Sequence, residues 1–369
     1  MPSSERPFEP QPDVPLAPFT TIGVGGRARW FARATSTEDV VAAHRWCHER
    51  GAPLFVLGGG SNLVIADDGV EGLVLQVALR GTQIDSGGGD TVLTAQAGEP
   101  WDDIVLISVR RGLAGLECLS GIPGSVGGTP IQNVGAYGQE VSTAIEIVQV
   151  FDRSTGQLTT RNTLECQFDY RMSGFKRDAA GRYIICAVTL RLRPGEPTMS
   201  YPDVVGQLER AGIASPTVGD VRNAVLAIRR RKGMVLDPSD ADTRSVGSFF
   251  INPVVPVSVH ARIAAEEVGP VPAYVLSTGD VKIPAAWLIE RSGVAKGYRD
   301  TPDGPVGVSS RHPLALVNRG GATARDVLDL AVRIKRRVVE RFGIWLRPEP
   351  VFVGFTDNPD VAYLKEEGR

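Results

Sequence analysis

Apolar and polar positions change period several times along the chain, and each change marks an element. From Thr20 to about Leu79 strands alternate with a helix. Ser36, with Asp39 three positions on, starts that helix; it runs to about Arg50, and Gly51 supplies the stop. An apolar strand, Leu54–Leu57, then breaks into three glycines. A strand over Val92–Ala97 precedes a helix near Trp101–Arg111, closed by Gly112. β signals follow at Ile145–Asp152 and Tyr183–Arg193, so residues 20–195 read as one α+β unit in two lobes. Pro194-Gly195-Glu196-Pro197 breaks the pattern and marks a domain boundary. Beyond it, helices are expected near Asp203–Ala211, Asp220–Arg231, Val259–Val268 and Ala285–Ser292, forming a second α+β domain over 203–355. A strand at Leu314–Asn318 leads into a long helix over Thr323–Phe342. Its Val327, Leu330, Ile334, Val338 and Phe342 form one apolar stripe. A last strand near Pro350–Phe355 ends the folded part. Residues 1–18, with six prolines among polar residues, read as a disordered tail.

Composition narrows the class. A chain of 369 residues, 42% hydrophobic and 22% charged, is ordinary for a soluble globular protein of two or three domains. Lys+Arg 40 against Asp+Glu 42 leaves a net charge of −2, which excludes a general affinity for nucleic acid. Lys335-Arg336-Arg337 reads as a solvated helix face. Four cysteines without a CxxC pair fit a reduced compartment. No apolar stretch approaches the roughly 20 residues of a membrane span, and the N-terminus has no signal-peptide core. The expectation is a cytoplasmic monomer with no membrane or nucleic-acid partner.

The chemistry begins at two glycine-rich runs, Leu57-Gly58-Gly59-Gly60-Ser61-Asn62-Leu63 and Ser120–Gly138 (SGIPGSVGGTPIQNVGAYG). Glycines at a strand end expose backbone N–H groups, and no Cβ blocks the approach of a pyrophosphate. Neither GxGxxG nor GxxxxGK[ST] is present, so two separate phosphate-friendly loops point instead to a large cofactor with a diphosphate bridge.

Three further segments carry candidate groups. In Gly247-Ser248-Phe249-Phe250-Ile251-Asn252-Pro253 the serine is either a turn residue or a proton donor to a carbanion. In Asp169-Tyr170-Arg171-Met172-Ser173-Gly174-Phe175-Lys176 the arginine either packs on an aromatic at the surface or stabilises an anion. Glu349 sits in Leu346-Arg347-Pro348-Glu349-Pro350, just before the final strand. His44 and His48 share a helix face but have no third ligand nearby, so no metal site is expected.

Taken in order, LGGGSNL, GIPGSVGG, QNVGAYG, DYRMSGFK, RRRKGM, GSFFINP and RPEP resemble the UDP-N-acetylenolpyruvoylglucosamine reductase family over roughly Thr20 to Gly354. The resemblance implies a two-lobed FAD-binding unit of the vanillyl-alcohol-oxidase (PCMH) type, then an α+β substrate-binding domain whose final strand returns to the flavin site. FAD contacts fall on Gly58, Gly59, Gly60, Ser61, Asn62 and Leu63, on Gly121, Ile122, Pro123, Gly124, Ser125, Gly127 and Gly128, and on Asn133, Gly135 and Ala136. Catalytic roles fall on Arg171, Ser248 and Glu349, and substrate contacts on Tyr170, Tyr201, Lys232 and Asn252. The family's reaction implies FAD held non-covalently, NADPH as hydride donor, and UDP-N-acetylglucosamine enolpyruvate as substrate. Hydride reaches the terminal carbon of the enol ether, Arg171 stabilises the resulting enolate, and Ser248 protonates the neighbouring carbon. Glu349 orients the arginine or substrate, or works as a protonated acid. The stretch between Lys232 and Ser248 is longer than in the best-known members, and Met199–Asp203 matches the family's tyrosine loop less cleanly. The competing readings are an alcohol or sugar oxidase of the same superfamily, with Cys118 as a covalent flavin link, or an inactive nucleotide-sugar binding protein.

Overall fold

The computed structural model describes residues 8–177 and 181–368, which divide into two compact units. The first takes the described parts of Met1–Val14, Ala28–Gly60 and Glu71–Val235; the second takes Pro15–Arg27, Ser61–Val70 and the described part of Leu236–Arg369.

In the first unit the strand order of one sheet is Gln11–Pro15, Arg27–Ala34, Val70–Val77, Leu54–Leu57, the last two running parallel. The expected helix is Thr37–Arg50, closed at its start by the reciprocal Ser36–Asp39 capping box and at its end by Gly51 in the left-handed region. A second, antiparallel sheet orders Gln157–Asn162, Ile145–Asp152, Tyr183–Pro194, Asp90–Gln96 and Thr82–Gly87, with Leu113–Ala114 beside Tyr183–Pro194. Asp90–Gln96 alternates half-buried and buried residues, as a strand with one face on a core must. That core gathers Leu93, Trp101, Val148, Phe151, Ile184, Val188 and Leu190.

Two expectations of organisation are corrected. The boundary at Pro194–Pro197 does not separate the units, because helices Pro202–Arg210 and Val218–Arg231 belong to the first, which continues to Val235. Their apolar faces close a satellite core with Cys118: Val204, Leu208, Val221, Val225 and Ile228. The tail expected over 1–18 is ordered where it is described. Gln11–Pro15 is an edge strand, the one place in a sheet where prolines lose no needed hydrogen bond. Leu16 behind it is fully buried. Residues 1–7 of that tail lie outside the described residues.

The second unit is built on the antiparallel sheet Ser245–Ser248, Ala315–Asn318, Val306–Val308 and the helix Ala324–Phe342. The helix buries the expected stripe of Val327, Leu330, Ile334, Val338 and Phe342. Thr323 and Asp326 form its capping box, and Asp67 accepts the Ala324 and Arg325 amides at 2.8 and 3.0 Å. The final strand is Val351–Val353, parallel to Leu63–Ile65. It does not end the fold: a helix over Pro359–Lys365 follows and buries Val361 and Leu364.

Lys335 overturns the solvated-face reading of its run, being fully buried. Its ammonium donates to the carbonyls of Tyr363, Leu364 and Glu366 at 2.8, 2.8 and 2.6 Å and lies over the Trp345 and Tyr363 rings. It therefore closes the C-terminal end of the last helix, where the Tyr363 carbonyl also accepts the Glu366 amide at 3.2 Å. Lys335→Met keeps an apolar stem and removes the ammonium that these three carbonyls share. A loss of about 1–3 kcal/mol in urea unfolding is expected, and an unchanged midpoint would show that water replaces the ammonium.

Candidate functional site

The first unit holds the glycine loops. Gly58–Gly60 follow strand Leu54–Leu57 and stand backbone to backbone with Gly124–Ser125. A Cβ on Gly59 would lie 2.6 Å from the Gly124 Cα, and one on Gly58 would lie 3.0 Å from the Ser125 hydroxyl. Among the described residues no acceptor takes the amides of Gly59, Gly60, Gly124 or Ser125. Two bare loops with open N–H groups make an anion cradle that side chains would fill.

Not all of the second run is open, however. Gly121 donates to Asp102 at 2.6 Å, Gly127 to the Ala97 carbonyl at 2.8 Å and Gly128 to the Ser125 carbonyl at 3.0 Å. These glycines shape the loop and spend their amides doing so, while Ile122 and Pro123 lie half-buried between them. Burial pushes the Asp102 carboxyl up, but the two-pronged Arg222 contact, 2.7 Å on each oxygen, and the Gly121 amide outweigh it and hold it below the usual range.

Beyond the cradle, Gly135–Ala136 pairs with Gln139–Glu140. Asn133, 1% exposed, spends its side chain inside the protein, donating to Glu140 and to the Asp169 carbonyl and accepting from the Ser142 amide. Tyr170 and Arg171 sit at the tip of a tight turn in which Asp169 and Met172 exchange backbone hydrogen bonds of 3.0 and 3.1 Å. Arg171 has φ 54°, an unusual conformation for a non-glycine residue, and its guanidinium donates to the Asn133 carbonyl at 3.4 Å and to the Gly135 carbonyl. It also lies 5.2 Å over the Tyr170 ring. A Cβ at Gly135 would stand 2.7 Å from this guanidinium and 2.8 Å from the Gln139 carbonyl oxygen, and the backbone atom cannot give way.

Tyr201 and Lys232, 31 positions apart by their numbers (232 − 201), come to one place. Tyr201 precedes helix Pro202–Arg210, and Lys232 ends helix Val218–Arg231, where it pairs with Asp203 at 3.0 Å. Both meet the ring of Tyr137, a residue the motifs did not single out. The ring lies edge-on to Tyr201 at 5.3 Å, and the ammonium of Lys232 is 5.9 Å from its centroid. Its signal in the sequence was an aromatic between Ala136 and Gly138, in a loop otherwise made of small residues.

Ser61, Asn62, Leu63, Ser248, Asn252 and Glu349 all belong to the second unit. The Ser61 carbonyl accepts from the Thr21 hydroxyl at 3.5 Å, and Leu63 opens the strand beside Val351–Val353. The Asn62 side chain donates to the Glu349 carbonyl at 3.2 Å, and its own carbonyl accepts from Val351 at 3.0 Å. Ser248 is the last residue of strand Ser245–Ser248, after Gly247 at φ 77° and an irregularity in the pairing with Ala315–Asn318. Phe249 and Phe250 are buried edge to face behind it. The Phe249 carbonyl accepts the Glu349 amide at 2.9 Å, which ties the glutamate's backbone to the residue after the serine. The Asn252 carboxamide oxygen accepts the Ala285 amide at 2.9 Å and holds the start of helix Ala285–Arg291.

All four cysteines are free and buried. Burial pushes the Cys118 thiol up to about 12, which removes the thiolate a covalent flavin link would need. Among the described residues no helix is long and apolar enough to cross a membrane.

Cradle and fold together define a flavoprotein. Residues 28–161 match the family model described as "FAD binding domain", and residues 237–353 match "UDP-N-acetylenolpyruvoylglucosamine reductase, C-terminal domain". The chain is 48% identical to UDP-N-acetylenolpyruvoylglucosamine reductase of Thermobifida fusca, with 93% of this chain and 98% of the relative covered. It is 46% identical to that of Mycobacterium tuberculosis, with 92% and 94% covered. The crystal structure of the Thermus caldophilus reductase superposes with a TM-score of 0.63 at 28% identity, covering 94% of this chain and 99% of that one. The chain belongs to the UDP-N-acetylenolpyruvoylglucosamine reductase family.

Proposed function

We propose that this chain reduces UDP-N-acetyl-3-O-(1-carboxyvinyl)glucosamine to UDP-N-acetylmuramate in peptidoglycan synthesis, as a cytoplasmic monomer with NADPH as hydride donor. The observation that carries the reading is family membership along nearly the whole chain. When bound, FAD supplies the relay of hydride from NADPH to the terminal carbon of the enol ether. The open amides of Gly59, Gly60, Gly124 and Ser125 suit its diphosphate. Hydride addition leaves negative charge on the substrate's neighbouring carbon and carboxylate. A cation fixed beforehand is worth most where charge develops, the role assigned to Arg171. Ser248 gives that carbon its proton, and Glu349 orients the arginine or the substrate, or works as a protonated acid. Lys232, Tyr201 and Asn252 hold the nucleotide-sugar. The test is to measure NADPH consumption against UDP-N-acetylmuramate formed; consumption that tracks only dissolved oxygen would favour an oxidase instead.

Two outcomes concern the cofactor. Acid precipitation should release all yellow colour into the supernatant, and colour left in the pellet would mean a covalent bond. Gly59→Val drives a side chain into the Gly124 backbone. Flavin affinity should fall about 10- to 100-fold, read as flavin-to-protein ratio after gel filtration, as expected where overpacking costs about 1–3 kcal/mol.

A further inference from the structure

Tyr137 has φ 48°, a left-handed conformation that costs a non-glycine residue roughly 1 kcal/mol or more. Such strain persists only where the surroundings hold the residue in place. Here its ring packs on the satellite core that includes Val204, Leu208 and Ile228. Its hydroxyl faces the Arg229 guanidinium, whose charge partly offsets the upward push of burial on the phenol. Arg229 is 7% exposed; its Nη2 donates to the Met234 carbonyl at 2.8 Å, while its Nε has no partner among the described residues. A buried cation thus faces the hydroxyl edge of the ring, and a half-exposed one, Lys232, stands at 5.9 Å from its centroid. The half-exposed Lys232–Asp203 pair contributes about 1 kcal/mol or less, and the ring face adds a second contact of comparable size to the same ammonium. The same loop offers Arg171 the carbonyls of Asn133 and Gly135.

We propose that Tyr137 is a positioning residue for the diphosphate of the nucleotide-sugar: its ring holds the Lys232 ammonium and the Tyr201 ring in register for binding. This rests on the assignment of Lys232 and Tyr201 to that ligand. The ring attracts the ammonium through its face, so the hold is independent of Asp203 and survives when an anion displaces that carboxylate.

The experiment is calorimetry on the flavin-loaded enzyme with UDP as probe. Tyr137→Leu keeps apolar bulk and removes the π face; UDP affinity should fall about 3- to 30-fold, with KM rising far more than kcat falls. Tyr137→Phe should restore affinity to within about twofold, because the face remains. In a Lys232→Met background Tyr137→Leu should change little further, the non-additivity expected of a touching pair. Should Tyr137→Leu fail to fold, Tyr137→Trp supplies a larger face and must bind UDP at least as well as the parent. Additive losses, or a Tyr137→Phe as weak as Tyr137→Leu, would overturn the proposal while leaving Lys232 on the diphosphate. An unchanged UDP affinity in Lys232→Met alone would overturn that placement, and this proposal with it.

Discussion

Ser248→Ala should separate two half-reactions that the parent enzyme couples. Reduction of bound flavin by NADPH needs no proton from the protein, so the visible absorbance should bleach at the parent rate. Recovery of that absorbance on adding the enolpyruvyl substrate should slow about 10²–10⁴-fold, the usual contribution of a positioned acid. Buried Phe249 and Phe250 and the backbone bond from Glu349 to Phe249 hold the segment after the serine, and none of them depends on its hydroxyl. The alanine variant should therefore fold normally and fail only in protonation. Ser248→Cys should keep part of the activity, since a thiol also donates. Reoxidation at the parent rate in Ser248→Ala would reduce the serine to the end of a strand. Equal failure of both half-reactions would make its role structural.

Arg171→Ala should lower kcat about 10²–10³-fold, as removal of one donor to a developing anion does. The KM for the nucleotide-sugar should move only a few-fold. Arg171→Lys should recover little, because the planar guanidinium reaches the Asn133 and Gly135 carbonyls together and an ammonium cannot reproduce that fork. Lys232→Ala should do the opposite and raise KM at nearly constant kcat, since a diphosphate carries the same charge throughout the reaction. If both alanine variants altered KM alone, Arg171 would belong to ground-state binding.

What was legible in the sequence follows from the range of each signal. The helix Ala324–Phe342 announces itself through a long apolar stripe and a capping box, and Thr37–Arg50 through its cap and its closing glycine. The glycine runs are legible because bare backbone at a strand end has few uses. Periodicity says that an element has an apolar face but not which core receives it. Helices Pro202–Arg210 and Val218–Arg231 were therefore assigned to the wrong unit. Lys335 was misread because a charge run says nothing of where a long stem leads, and its three carbonyl acceptors arrive from a helix too short to show a period. The motif QNVGAYG contains both Asn133 and Tyr137, and its resemblance implies a contact role for the first alone. Asn133 turns inward to brace the loop, whereas Tyr137 gathers Tyr201 and Lys232.

The interleaved division of the chain also sets an order for its synthesis. Every segment of the first unit has been translated once Val235 leaves the ribosome, so that unit can complete its core early. The pieces Pro15–Arg27 and Ser61–Val70 cannot, because the longest segment of their own unit starts only at Leu236. Leu63–Ile65 in particular waits as an unpaired strand until Val351–Val353, almost the end of the message, has emerged. For most of translation the apolar segment Leu63–Ile65 therefore has no strand to pair with, and its ladder closes only when the C-terminal strand is made.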